Sequence, residues 1–239
     1  ALPISDRLRE AILKGDFAEG DALPTERELA AQTGLGRGSV REALRTLSVE
    51  GLLETRLGRH GGNIVTLPGD GSMANAVNQF VRGRRIPLRA LQETREALEP
   101  TLARLAALRR TEADLARLRV LHAALANSAD DFRKFSSVNL DWHNAVAKAS
   151  ANELLASFFY AISHGVGIST TTEDYDTPAT REQVIAVHGE INDAIERRNA
   201  ELAERRMRQH IMATHSRGTA LETTCIPLSD DGSPGDRME

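Results

Sequence analysis

Four side chains in the second half of the chain have the types and spacing to share one ion. Asn139 and His143 stand four residues apart in Asn139-Leu140-Asp141-Trp142-His143, so on a helix they lie one above the other. His188 and His210 fall in two further segments of helical spacing. Imidazoles projecting inward from different helices, with an amide oxygen one turn from one of them, make an N/O donor set suited to a divalent transition metal. On spacing alone, a hydrogen-bonded core or surface role for each His stands beside that reading. A second group is cationic: Arg37, Arg41 and Arg45 recur every four residues and share one helical face, while Val40, Leu44 and Leu47 take another. The planar guanidinium fork bonds guanine O6 and N7 together, or grips phosphate. A solvated arginine face is the plainer alternative.

The elements that must carry these groups are legible around them. In Leu23-Pro24-Thr25-Glu26-Arg27-Glu28-Leu29-Ala30, Thr25 and Glu28 have capping-box spacing, which starts a short helix just after Pro24 and runs it to Thr33-Gly34. The arginine helix follows. Two short helices joined by a Gly-containing turn, the second with Arg in its first turns, form a helix-turn-helix whose second helix enters the major groove. Leu52–Arg56 and Asn63–Thr66 then read as strands of a β-hairpin wing around Leu57-Gly58-Arg59-His60-Gly61-Gly62. Arg56, Arg59 and His60 put donors at its tip, and its glycines allow close backbone approach to a phosphate. A further helix, Ser5 to Leu13, precedes the set.

Composition agrees with this picture only locally. The whole chain carries 30 basic against 34 acidic residues, a net charge of −4, which by itself argues against nucleic-acid binding. From Leu35 to Gly62, however, Arg37, Arg41, Arg45, Arg56 and Arg59 face only Glu42, Glu50 and Glu54. A single cysteine, Cys225, excludes an intrachain disulfide, and no apolar run approaches the roughly 18 residues of a membrane span. The first residues lack a basic stretch followed by an apolar one. The expectation is a cytoplasmic protein without a membrane partner.

With 4% aromatic residues there is little material for a large sheet. Leu, Ala, Arg and Glu recur instead at helical spacing: Leu88–Arg109 with Leu91, Leu98, Leu102, Leu105 and Leu108, then Glu112–Ala126 with Leu115, Leu118, Leu121 and Leu125. Further helices are predicted near Met73–Val81, Asp130–Ser150, Asn152–Ser163, Thr180–Arg198 and Ala200–Arg217, with a polar connection over Thr170–Pro178. The fold class is therefore mainly α: an N-terminal winged helix-turn-helix over 1–68, a linker over 69–76 marked by Pro68-Gly69-Asp70-Gly71-Ser72, an antiparallel all-α bundle over 77–220, and a polar tail over 221–239.

Gly20-Asp21, Leu23-Pro24-Thr25-Glu26-Arg27-Glu28-Leu29-Ala30, Val40-Arg41-Glu42-Ala43-Leu44 and Gly51-Leu52-Leu53 together resemble the winged helix-turn-helix of GntR-type transcription regulators. The resemblance implies DNA contacts from Arg27, Arg37 and Arg41, with Ser39 and Arg45 on the same helix, and a wing whose Arg59, His60 and Gly61 reach the minor groove. Gly36 and Gly38 stand where the family commonly carries Ser or Thr, so the recognition helix is expected to start later, capped by Ser39 with Glu42. In the second half, Thr94-Arg95-Glu96-Ala97-Leu98-Glu99-Pro100, Asn139 to His143 before Ala149-Ser150-Ala151-Asn152, His188 before Ala194-Ile195, and Met207-Arg208-Gln209-His210 resemble the FCD effector domain of the FadR subgroup. That likeness implies zinc, nickel or a similar ion on Asn139, His143, His188 and His210. It also implies a bidentate hold on a small carboxylic acid effector by Arg95, whose plainer role is an intrahelical partner for Glu99. The commoner first ligand is Asp; the neutral amide of Asn139 leaves the ion with more net charge and so favours an anionic effector.

The implied function is a ligand-responsive repressor, relieved by effector, and a homodimer binding double-stranded DNA at a palindromic operator. Two alternatives are a metal-free regulator of the same family with an acyl or apolar ligand, and a metal-dependent hydrolase. The hydrolase lacks a placed general base apart from Asp141 and leaves the winged helix-turn-helix without purpose, so the chain is not expected to be an enzyme. No role is assigned to His122, His164 or His215.

Overall fold

In the computed structural model the described backbone comprises residues 2–56, 58, 62–170 and 177–215, and the chain divides into two units, Ala1–Met73 and Ala74–Glu239. The expected tail over 221–239 and part of the expected 170–178 connection lie outside the described residues. So do Arg59, His60 and Gly61 of the wing.

The first unit holds α1 (Leu2–Lys14), α2 (Glu26–Thr33), α3 (Arg37–Val49), β1 (Leu53–Arg56) and β2 (Gly62–Val65). The capping box that opens α2 is complete: the Glu28 amide donates to Thr25 Oγ1 at 3.3 Å and the Thr25 amide to Glu28 Oε2 at 2.8 Å. Gly34 closes the helix at φ +72°, its N–H donating to the Ala30 carbonyl at 2.9 Å, a left-handed cap that glycine adopts without a Cβ clash. The recognition helix does not start late. Gly36, extended at φ −64° and ψ 145°, is its N-cap, and its carbonyl accepts from the Ser39 amide at 3.0 Å and the Val40 amide at 3.2 Å. The first turn thus closes on the backbone with no side-chain cap, and Ser39 is the third helical residue rather than the cap.

β1 and β2 pair antiparallel, Leu53 opposite Val65 and Arg56 opposite Gly62. Residues 20–23 flank the hairpin through Gly20 N–H to the Val65 carbonyl and Leu23 N–H to the Asn63 carbonyl, both 2.9 Å. Ile4, Leu8, Ile12, Leu29, Val40, Leu44, Leu47, Leu52, Leu53 and Val65 form one core beneath the helices and hairpin. This core is what turns the polar face of α3 outward.

The expected linker over 69–76 is helical from Asp70, where α4 (Asp70–Gly83) begins, and the division between the units falls inside that helix. Asp70 and Ser72 are residues that start helices as readily as they punctuate loops. The bundle follows as α5 (Leu88–Arg109), α6 (Glu112–Ala126), α7 (Phe132–Ala149), α8 (Glu153–Thr170), α9 (Pro178–Glu196) and α10 (Ala200–His215). Helix α8 outruns its expected end at Ser163, because the Gly165 and Gly167 backbone continues the helix instead of breaking it. Helix α5 packs on α7, α8, α9 and α10, and α6 on α7 and α9. Trp142, Leu118, Leu121, Ile191, Ile195, Met207 and Ile211 fill the centre with small residues of α5, Ala103, Ala106 and Ala107. Leu108, expected on the inner stripe of α5, is 51% exposed. Leu91, Leu102 and Leu105 of that stripe are buried, and the inner face also takes in Gln92, Arg95, Glu99, Ala103 and Ala106.

Candidate functional site

Three of the four predicted ligands converge. His143 on α7, His188 on α9 and His210 on α10 are all buried, and one ring nitrogen from each lies within 4.8 Å of the others. His188 Nε2 and His210 Nε2 are 3.1 Å apart. Two imidazoles on one ion, with metal–nitrogen bonds of about 2.0–2.1 Å at angles between square and tetrahedral, place their nitrogens about 2.9–3.4 Å apart, so this spacing fits. The fourth, Asn139, lies one turn before His143 on α7; its Oδ1 is buried and has no hydrogen-bond partner among the described residues, as is true of His143 Nε2. A buried amide oxygen and a buried ring nitrogen left without partners are costly unless something else uses their lone pairs. The donor set therefore fits a divalent metal of borderline softness on chemical grounds.

Residues around the set orient it; the Arg95–Glu99 pair was expected as the plainer role of Arg95, whereas Gln92 and the contact of Glu99 with His143 were not. Glu99 Oε2 lies 2.5 Å from His143 Nδ1, while Arg95 Nε donates to Glu99 Oε1 at 2.7 Å. Arg95 NH1 reaches Gln92 Oε1 at 3.4 Å, and Gln92 Nε2 donates to the Ile211 carbonyl at 3.0 Å. A carboxylate on one ring nitrogen of a His sets its tautomer and aims the other nitrogen at a metal. The chain Gln92–Arg95–Glu99–His143 thus joins α10, α5 and α7 behind the site. Burial pushes the Glu99 carboxyl upward, but the charges of His143 and Arg95 and the hydrogen bonds from both outweigh it and hold its pKa at about 2. His188 is driven well below its ordinary value, first by burial and then by His210, His143, His122 and Arg95, which keeps its ring neutral. The signal available in sequence was Gln92, Arg95 and Glu99 at spacings of three and four on a face otherwise apolar.

Trp142, the one tryptophan of the sequence, stacks on His188 with ring centroids 3.7 Å apart and donates from Nε1 to Asn192 Oδ1 at 3.1 Å. Behind α9, His122 Nε2 lies 2.9 Å from the Ile185 carbonyl, and its ring occupies the space where a Cβ at Gly189 would come within 3.4 Å. His122 is thereby a packing residue; the side chains of His164 and His215 lie outside the described residues. A cavity of about 150 Å³ opens between α9 and α10, with His210, Gln183, Val187, Glu190, Arg206 and Gln209 among its walls.

In the first unit, Arg27, Arg37, Arg41 and Arg45 are exposed and Ser39 is half-buried. Arg41 is held by Glu26 of α2, through Nε at 3.1 and 3.2 Å and NH2 at 2.9 Å. Arg56, at the end of β1, pairs with Glu54 at 2.9 Å. No helix among the described residues is long and apolar enough to cross a membrane.

Two family descriptions match the chain: FCD domain over residues 90–213, and bacterial regulatory proteins, gntR family, over residues 1–60. Among curated relatives, the HTH-type transcriptional repressor NanR of Edwardsiella tarda (strain FL6-60) is 27% identical over 87% of this chain and 81% of its own length. The Uxu operon regulator of Haemophilus influenzae (strain ATCC 51907 / DSM 11121 / KW20 / Rd) is 30% identical over 87% of this chain and 77% of its own. Among solved structures, Streptococcus agalactiae GntR superposes with a TM-score of 0.67 at 28% identity, covering 89% of this chain and 97% of the other.

Proposed function

Because the chain belongs to the GntR family of bacterial transcription regulators and carries the FCD effector-binding domain, we propose that this DNA-binding regulator is a repressor released by a small carboxylic acid bound beside a metal. The observation that carries the reading is the buried donor set: Asn139 Oδ1 and His143 Nε2, without hydrogen bonds among the described residues, next to the close pair His188 and His210. Asn139, His143, His188 and His210 would hold zinc or nickel. When bound, such an ion supplies a Lewis-acidic anchor for an effector carboxylate.

The chain's own residues supply the rest. Imidazoles and an amide bring no negative charge to a divalent ion, which favours an acid over a neutral ligand. Arg95 spends Nε on Glu99 and keeps its terminal nitrogens, the nearer only 3.4 Å from Gln92, for a bidentate hold on a carboxylate. The cavity beside His210 has room for roughly five waters at about 30 Å³ each, the scale of a small acid or a hydrated cation.

On the DNA side, Arg27, Arg37, Arg41 and Arg45, with Ser39 and the wing residues Arg59, His60 and Gly61, form the contact surface. The protein acts in the cytoplasm as a two-fold homodimer on a palindromic operator. An effector switches it by binding more tightly to the conformation that fits DNA poorly.

Elemental mass spectrometry of untagged protein purified without chelator tests the metal. One zinc or nickel ion per chain is expected in the parent and none in a His188→Ala/His210→Ala variant. A parent that stays metal-free after both ions are supplied overturns the site. In the same preparations, small acids able to chelate should weaken binding to a duplex selected from random DNA, and only in the metal-loaded parent.

A further inference from the structure

Of the four exposed arginines on α2 and α3, only Arg41 is paired: Arg27, Arg37 and Arg45 form no salt bridge or side-chain hydrogen bond among the described residues. Its partner Glu26 is the first residue of α2, fifteen positions away and on another helix. The carboxylate caps one edge of the guanidinium, Nε and NH2, and leaves NH1 and the outer proton of NH2 to donate elsewhere.

As a stabilising contact this pair is weak. The Arg41 side chain is 71% exposed, and pairs in solvent contribute little to stability. On a surface that must approach phosphates it is also a liability, since Glu26 lowers the local positive charge and sits within the field of Arg37 as well. Its effect depends on what approaches Arg41. A phosphate oxygen reaching for the guanidinium brings a full negative charge up to the Glu26 carboxylate. Guanine O6 and N7 bring only partial charges, and they match the fork that Glu26 leaves free. A like charge beside a contact discriminates against the wrong partner by repulsion.

Resting on the reading that α3 meets DNA, we propose that Glu26 is a positioning residue for operator specificity: it holds Arg41 on one edge and so turns it from a phosphate contact into a base reader. The pair lowers non-specific affinity and raises the ratio of specific to non-specific binding.

The test uses the full chain, a duplex selected by the parent from a random library, and a random-sequence duplex, each titrated over a salt series. Glu26→Gln keeps the shape and removes the charge. Binding to the random duplex should tighten, its log–log salt slope should steepen by about 0.9 for one added phosphate contact, and the selected-to-random ratio should fall about tenfold. Glu26→Asp keeps the charge but cannot reach; the ratio should fall while the slope stays near the parent's. In an Arg41→Ala background, Glu26→Gln should leave the ratio unchanged. A parental ratio in either single variant overturns the proposal. If Arg41→Ala itself binds the selected duplex as tightly as the parent, the recognition-helix reading is what fails.

Discussion

Two arginine–glutamate pairs, one in each unit, have the same chemistry and opposite surroundings. Arg41 and Glu26 are 71% and 34% exposed in their side chains; Arg95 and Glu99 are 2% and 3% exposed. At a contact distance of about 4 Å the attraction of two unit charges is about 1 kcal/mol in water and grows several-fold as water is excluded. The outer pair therefore opens cheaply when another acceptor or donor arrives, as the proposed DNA-contact surface would require. The inner pair has no water to fall back on. Each member satisfies a charge that the other would leave stranded, and Glu99 passes the constraint on to His143 at 2.5 Å. Exposure thus decides whether the same two residue types serve as an adjustable contact or a fixed bracket.

The sharpest way to break this comparison is to delete one arginine from each pair. Arg95→Ala leaves Glu99 buried without its guanidinium partner, and losing one partner of a buried pair costs about 3–5 kcal/mol. Urea unfolding of the metal-free protein should show that loss. Arg41→Ala should leave stability within about 0.5 kcal/mol of the parent, as surface substitutions do. Equal effects from the two variants would mean that burial does not separate the pairs.

The next effect is read on DNA. Arg37→Ala and Arg41→Ala should each weaken binding to the selected duplex by about 1–3 kcal/mol if they contact bases, with helical content and melting unchanged. Fluorescence anisotropy of the labelled duplex measures this. Parental affinity in both would remove α3 from the interface and leave the exposed arginines as solvated charge.

The same contrast explains what was legible in the sequence. Elements with local signals were read closely: the Thr25–Glu28 box opens α2, and α5 and α6 run from Leu88 to Arg109 and from Glu112 to Ala126 as their leucine spacing predicts. The exposed arginine face also follows from spacing, since a helix with one apolar stripe turns its other residues outward. Where two local signals competed, the reading failed: Ser39 has the type of a cap, but the Gly36 carbonyl had already closed the first turn. The candidate donor cluster was only half legible. Four residues could be named, but what makes them a set is the 3.1 Å approach of side chains 22 residues apart, His188 and His210, which no spacing encodes. The Arg95–Glu99 pair was named as the plainer role of Arg95 and is present; Gln92, and the reach of Glu99 to His143, were missed because leucines were counted as the core face of α5, and the polar residues on that face were not asked why they are there.

The smallest expected effect lies at the capping box, a second exposed use of a glutamate. Removing a Thr cap costs about 1 kcal/mol, so Thr25→Ala should speed hydrogen exchange of the Leu29 and Ala30 amides at pH 7. The pH dependence has a definite sign. The backbone hydrogen bond from Thr25, then the bond from its hydroxyl, lower the Glu28 carboxyl below its usual 4.5. A carboxylate with a lowered folded value binds its proton more readily in the unfolded chain, so its contribution is present above pH 4.5 and is lost as pH falls through the folded value. Thr25→Ala should therefore matter less at pH 3 than at pH 7. Glu28→Gln, which has no charge to lose, should remove that pH difference while leaving the Thr25 hydroxyl to accept the helix amide. If Thr25→Ala costs the same at both pH values, the box is held by the hydroxyl alone, and the carboxylate on this exposed turn is as dispensable as any solvated charge.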